Sequence, residues 1–133
     1  MKISLKISMI AALLVLLLAA CGGASEEPSV AFCDALNEIN ETGPTIAALG
    51  DVADLAQIVQ LGATMDNNWK DLSSAVERMD VTIQQTFGPY DTQYLEVPAI
   101  TQETAIPVAR SLLDTKNAIA TDAYNALYPG NCP

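Results

Sequence analysis

The strongest pattern in the sequence is a run of apolar residues spaced alternately by three and four positions. Its members are Leu55, Ile58, Gly62, Met65, Trp69, Leu72, Val76, Met79 and Ile83. This spacing places side chains on one face of an α-helix, so the sequence predicts helical structure after Asp51. One helix from Asp51 to Thr86 would extend roughly 54 Å, which is long for so small a domain. We therefore predict a break near Asp80, which can cap a new helix, with Asp66-Asn67-Asn68 as the second choice.

Turn residues predict where the neighbouring helices stop. Ser29 can cap a first helix that runs to about Glu41, and Thr42-Gly43-Pro44 is expected to end it. Gly88-Pro89 is expected to end the second central helix. The stretch from Tyr90 to Ile100 is then predicted to be an irregular connection.

A last helix is predicted near the carboxyl end. Thr101 or Thr104 can cap it, Pro107 fits its first turn, and Tyr128-Pro129-Gly130 follows it. No stretch combines alternating hydrophobicity with paired turn signals, so no sheet is expected. The predicted fold class is all-α, an antiparallel bundle of about four helices that occupies residues 29–133.

The amino-terminal residues have the order of a bacterial export signal. Lys2 and Lys6 precede an apolar run that is too short to cross a bilayer as a helix. The residues Leu18-Ala19-Ala20-Cys21 resemble the lipobox of bacterial lipoproteins. This resemblance implies that residues 1–20 are removed and that Cys21 carries acyl chains such as palmitate, which anchor the protein to the extracytoplasmic face of the cell membrane. A plain secretory signal is the alternative. Residues 21–28 would form a flexible tether.

Lipid on Cys21 would leave two cysteines, and these lie near opposite ends of the remaining domain. Outside the cell Cys33 and Cys132 are expected to form a disulfide, which would stabilise the domain by up to ~4.7 kcal/mol. Two unpaired thiols or metal ligands are the alternative, although the chain has no histidine to complete a metal site. This layout, with Phe32-Cys33 and Asn131-Cys132-Pro133 at the ends of an acidic helical unit, resembles small helical lipoproteins of actinobacteria that have no assigned activity.

The charge of the predicted mature chain limits the classes of partner that it can be expected to bind. Four basic and sixteen acidic residues follow the predicted cleavage point, which gives a net charge of −12. Such a domain repels phosphate backbones, so we expect no nucleic acid partner. Basic protein surfaces and cationic ligands remain open as partners.

The composition also argues against an enzyme. The lack of histidine removes the commonest general base and the commonest transition-metal ligand. The carboxylate pairs Asp51 with Asp54 and Asp66 with Asp71 are interpreted as solvated helix surface rather than as acid and base catalysts. We predict no catalytic residues, no metal and no cofactor.

A ligand pocket is the remaining candidate site, and it would involve Met65, Trp69, Tyr90 and Tyr94. Met65 and Trp69, together with Met79 and Tyr124, could line a cavity for a lipid or haem. Packing of these side chains in the core is the favoured interpretation. Asp91 and Glu96 beside the two tyrosines could hold calcium or another cation, with a packed loop as the favoured interpretation.

These observations lead to two predictions of function. The first is a non-enzymatic, membrane-anchored lipoprotein that binds an envelope protein or supports an envelope complex. The alternative is a carrier of a small apolar or cationic ligand, which could be a lipid, haem or a metal ion.

Overall fold

The structure, a computed structural model, describes residues 27–133 and contains four helices in that range. They are α1 (Pro28–Ala47), α2 (Leu55–Val76), α3 (Val81–Glu96) and α4 (Ile106–Leu127). These residues contain no strand and pack as an antiparallel bundle, so the predicted fold class is confirmed. The predicted signal peptide, Cys21 and most of the tether lie outside the described residues.

The apolar run is divided between two helices, as predicted. Asp80 caps α3, because its carboxylate accepts hydrogen bonds from the backbone N–H groups of Thr82 and Ile83 at 2.9 and 3.1 Å. The second choice of break, at Asp66-Asn67-Asn68, is wrong because these residues lie inside α2. This helix begins after Asp54, whose side chain accepts from Gln57 N–H at 2.8 Å.

Both predicted Gly-Pro stops are wrong. The first helix continues through Gly43-Pro44 to Ala47, and α3 continues through Gly88-Pro89 to Glu96. A proline inside a helix costs about 3 kcal/mol, so contacts on both sides of it must compensate. Ile39 and Ile46 are buried on either side of Pro44, and Phe87 and Tyr94 are buried on either side of Pro89. The irregular connection is therefore shorter than predicted and starts at Val97.

The predicted amino-terminal caps of α1 and α4 are also wrong. Residue Glu27 precedes α1 and Ala105 precedes α4, and neither makes a side-chain cap. Each helix has a proline in its first two positions, where the missing N–H costs nothing. Thr101 and Thr104 instead close a turn before α4, where Thr101 N–H donates to Thr104 Oγ1 at 3.0 Å.

A continuous core runs through all four helices. Its largest fully buried side chains are Phe32, Leu36, Ile39, Ile46, Ile58, Met65, Leu72, Leu113 and Leu127. These residues extend from Phe32 to Leu127, so the described residues bury an apolar core of their own. We therefore expect the chain after Cys21 to fold without its anchor.

The predicted disulfide is confirmed. Cys33 on α1 and Cys132 after α4 are joined by an S–S bond of 2.02 Å, across a sequence separation of 99 residues. The bond ties the start of the bundle to its end. None of the helices in residues 27–133 has the length and apolar character needed to cross a membrane.

Candidate functional site

An open cavity of about 580 Å³ lies beside Trp69, between α2, α3 and the segment that follows α3. Three of the bundle's helices and one connection contribute to it. Its lining consists of Asp66, Trp69, Lys70, Ser73, Ser74, Asp91, Tyr94, Leu95, Glu96, Val97, Pro98, Ala99 and Lys116. The continuation of α3 past Pro89 builds this site, because it carries Asp91, Tyr94 and Leu95 to the side of α2.

Two stacked aromatic rings form the inner wall of the cavity. The rings of Trp69 and Tyr94 are 4.2 Å apart between centroids and inclined by only 6°. Phe87 lies on Trp69 as well, with its centroid at 5.2 Å. Trp69 and Tyr94 are 2% and 3% exposed, so most of their surface packs against protein. The wall is therefore rigid, since its rings belong to both the core and the cavity.

Hydrogen bonds from the polar tips of both rings hold this wall in place. Trp69 Nε1 donates to Asp91 Oδ1 at 2.9 Å, and the Tyr94 hydroxyl donates to Asp66 Oδ1 at 2.8 Å. Each bond joins α2 to α3. A buried indole or phenol group normally needs such a partner, and here both donors are satisfied by carboxylates of the lining.

Lys116 brings a buried charge from α4 to the same place. Its ammonium group lies 2.6 Å from Asp66 Oδ1 and 4.9 Å from the centroid of the Tyr94 ring. The Lys116 side chain is only 6% exposed, whereas that of Asp66 is 47% exposed. The carboxylate and the aromatic face together compensate the loss of hydration of the ammonium group.

This environment keeps the hydroxyl of Tyr94 protonated. Burial raises the pKa of Tyr94 far above its ordinary value of 10.0, and the hydrogen bond to Asp66 and the charge of Asp66 raise it further. Tyr94 therefore acts as a neutral hydrogen-bond donor to Asp66. It provides no base or nucleophile in the cavity at neutral pH.

The structure brings together two of the four residues predicted for a pocket. Trp69 and Tyr94 line the cavity, whereas Met65 is fully buried in the core and Tyr90 is half-buried against it. Asp91 and Glu96 do line the cavity, but from a helix rather than from the predicted loop. No group of three Cys, Asp or Glu side chains in residues 27–133 is arranged to hold a metal ion.

Sequence reasoning missed Lys116, the central charge of the site. One signal was available, because Ala109, Leu113, Lys116, Ala120 and Ala123 follow the spacing of a buried helix face. A lysine in such a face needs a partner, although the partner's identity depends on tertiary structure. Asp66 was interpreted as solvated surface, and its partnership with Lys116 joins residues 50 positions apart.

Comparisons with known proteins do not assign this site. No protein family, curated protein or solved structure matches the chain.

Proposed function

We propose that this protein is a lipid-anchored, extracytoplasmic lipoprotein whose helical domain binds a small amphiphilic molecule without catalysing a reaction. The observation that carries this proposal is the cavity of about 580 Å³ beside Trp69. Its volume lies within the range of small-molecule sites, roughly 300–1,000 Å³, and such sites combine apolar walls with a few fixed polar groups. The hydrogen-bonded Trp69 and Tyr94 provide this combination.

The mouth of the cavity, at the end of α3 and the start of the segment after it, is lined by apolar residues. Leu95 is 71% exposed, and Val97, Pro98 and Ala99 follow it along the lining. A large apolar side chain on a rigid helix gains free energy when a ligand covers it, at about 25 cal/mol per Å² of apolar area removed from water. The exposure of Leu95 next to a cavity therefore favours a ligand with an apolar part.

The location outside the cytoplasm is supported by the disulfide and by the lipobox. A disulfide such as Cys33–Cys132 persists in oxidising compartments and is rare in the cytosol. Lipid on Cys21 would hold the domain at the membrane through the tether formed by residues 21–28. The acidic character of the domain would keep its body away from anionic head groups, which leaves the cavity accessible.

Native mass spectrometry of protein purified from its own host tests the binding function. We expect a bound small molecule that is lost in Ala99→Phe, because the larger side chain would fill the cavity mouth. Ala56→Phe, an exposed alanine on α2 outside the cavity, is the matched control and should keep the molecule. An apo mass for the wild-type protein would contradict the proposal.

The anchor is tested separately by the intact mass of the membrane-bound protein. The proposal predicts a mature chain that begins at Cys21 and carries a diacylglycerol thioether. In Cys21→Ser this mass increment and the membrane association should both disappear. A wild-type chain that is neither cleaved nor acylated would contradict the anchor while leaving the cavity proposal intact.

Protein docking is a second candidate function, and a different surface favours it. Val52 is 95% exposed, and Ile106 and Val108 are about half exposed. Val52 and Ile106 lie at the same end of the bundle, because Arg110, one turn after Ile106 on α4, donates to the carbonyls of Leu49 and Gly50. Cross-linking in intact envelopes through a photoreactive residue at position 52 should capture a reproducible partner, and the exposed position 85, near the start of α3 at the other end of the bundle, serves as the control. Identical products from both positions would remove this candidate.

A further inference from the structure

We infer that the ligand of the Trp69 cavity carries a neutral oxygen acceptor, such as a hydroxyl, ester or amide, at one end of an apolar body. The acceptor takes a hydrogen bond from the ammonium group of Lys116. This inference rests on the proposed binding function and specifies the chemistry of the ligand.

The first argument is the number of hydrogen-bond donors on Lys116. An ammonium group has three N–H donors. Among the described residues, Asp66 Oδ1 accepts one of them and the Tyr94 ring faces the group at 4.9 Å. Lys116 is only 5% exposed and lines the cavity, so the cavity is the route by which an acceptor reaches the remaining donor. A buried charged donor without an acceptor is costly, and Lys116 lines the cavity in which an acceptor can be placed.

The second argument is that the other buried donors of the cavity are already used. Trp69 Nε1 is bound to Asp91, and the Tyr94 hydroxyl is bound to Asp66. Lys116 is therefore the buried lining residue with donor capacity left for a ligand. A ligand oxygen that reaches it would also lie against the aromatic wall.

The third argument concerns the charge of the ligand. Asp66 already balances the charge of Lys116. Asp91 and Glu96 add two further negative charges to the lining, and the exposed Lys70 balances only one of them. An anionic head group would meet this excess of carboxylates and the negative field of the acidic domain. An ammonium head group would meet Lys116 itself. A neutral oxygen avoids both repulsions and still satisfies the remaining donor.

The apolar body of the ligand is assigned to the apolar residues of the same lining. Leu95, Val97, Pro98 and Ala99 provide a largely apolar border at the end of α3 and in the segment after it. A ligand that joins the two parts must have a polar end and an apolar end. This arrangement describes a neutral amphiphile.

A probe series of equal chain length tests the head group. The chain from Gly22 to Pro133 would be titrated with 1-octanol, octanoate and octylammonium at neutral pH, followed by the fluorescence of Trp69, the only tryptophan. We expect 1-octanol to bind about tenfold more tightly than either charged probe, because a charged head group loses hydration in the cavity and meets a charge of its own sign in the lining. Tightest binding of octanoate or of octylammonium would overturn the inference.

Two variants test the role of Lys116. Wild-type, Lys116→Met and Arg78→Met chains would be titrated with 1-octanol and with 1-chlorooctane, which lacks the oxygen. The ratio of the two affinities should fall roughly tenfold in Lys116→Met, because the donor is lost. It should stay unchanged in Arg78→Met, which removes an exposed cation that does not line this cavity. An unchanged ratio in Lys116→Met would contradict the inference.

Failure of this inference can be distinguished from failure of the proposed function. Binding of all probes without discrimination between head groups would remove the assigned chemistry and retain the cavity as a binding site. No binding of any probe would remove both. If circular dichroism shows that Lys116→Met does not fold, the ranking of probes by the wild-type chain decides the question.

Discussion

The ammonium group of Lys116 and the carboxylate of Asp66 lie 2.6 Å apart, yet their burial is very different. The lysine side chain is 6% exposed and the aspartate side chain is 47% exposed. The pair joins α2 to α4 in the lining of the cavity. Because only the lysine is buried, substitution of Lys116 and substitution of Asp66 should change the free energy of unfolding by different amounts.

The first prediction follows from this inequality. Asp66→Ala leaves a buried ammonium group without its carboxylate and should lower the free energy of unfolding by about 2–4 kcal/mol. Lys116→Met leaves a half-exposed carboxylate that water can solvate, so the change should stay within about 1 kcal/mol. Urea unfolding measures both values. The double variant should recover part of the loss, and equal losses in the two single variants would contradict this account.

The second prediction concerns alkaline pH. Burial, followed by the hydrogen bond and the charge of Asp66, raises the pKa of Tyr94 in the folded state above its ordinary value of 10.0. The folded state thus holds this proton more tightly than the unfolded state. The contribution to stability is complete below pH 10.0 and is lost as the pH rises above it. The free energy of unfolding should fall as the pH rises above 10.0, and Tyr94→Phe should reduce the slope. An unchanged slope in this variant would contradict the assignment.

The third prediction concerns the disulfide. Cys33 and Cys132 close a loop with a sequence separation of 99 residues, so their removal frees almost the whole domain in the unfolded state. The double variant Cys33→Ala/Cys132→Ala should lose about 2–5 kcal/mol of unfolding free energy. Thermal unfolding of this variant and of the wild-type chain under oxidising conditions measures the difference. A loss below about 1 kcal/mol would show that the bundle does not depend on this bond.

The fourth prediction concerns Gly62, the small member of the apolar run. A Cβ atom at Gly62 would lie 3.2 Å from Cδ1 of Ile100, which follows the cavity border. Gly62→Leu should displace Ile100 and cost about 1–3 kcal/mol by overpacking. In Gly62→Ala a small shift of Ile100 offsets the gain in helix propensity, so stability should change by less than about 1 kcal/mol.

A second substitution shows whether this cost comes from the predicted contact. Adding Ile100→Ala to Gly62→Leu should restore part of the lost free energy, because the two side chains compete for the same space. Chemical unfolding of the single and double variants gives the coupling. Strictly additive losses would place the strain elsewhere.

The helices that depend on local signals were predictable from the sequence. The apolar spacing and the capping carboxylate of Asp80 act within a few residues, and the structure has the break at that position. The stops at Gly43-Pro44 and Gly88-Pro89 were wrong because tertiary burial outweighed the local penalty. Ile46 and Tyr94, which follow these prolines, are almost completely buried, and this burial depends on helices distant in sequence.

The candidate site was predictable only in part. Trp69 was identified by its place in the apolar run, and Tyr94 by its place beside Asp91 and Glu96, although these residues lie on a helix rather than in the predicted loop. Lys116 was missed because its partner Asp66 is 50 residues away in sequence, although a lysine within an apolar helix face indicates that some partner is present. Lipid attachment at Cys21 stays a prediction from the lipobox pattern.

The most direct test of a binding cavity is a chemical-shift map of the chain from Gly22 to Pro133 during titration with 1-octanol. The single indole N–H signal, from Trp69, reports on the hydrogen bond to Asp91 at the wall of the cavity. We predict saturable shifts of this signal and of the backbone amides of Leu95, Glu96, Val97 and Ala99. Shifts confined to α1, or none that saturate, would contradict the assignment of this cavity as the ligand site.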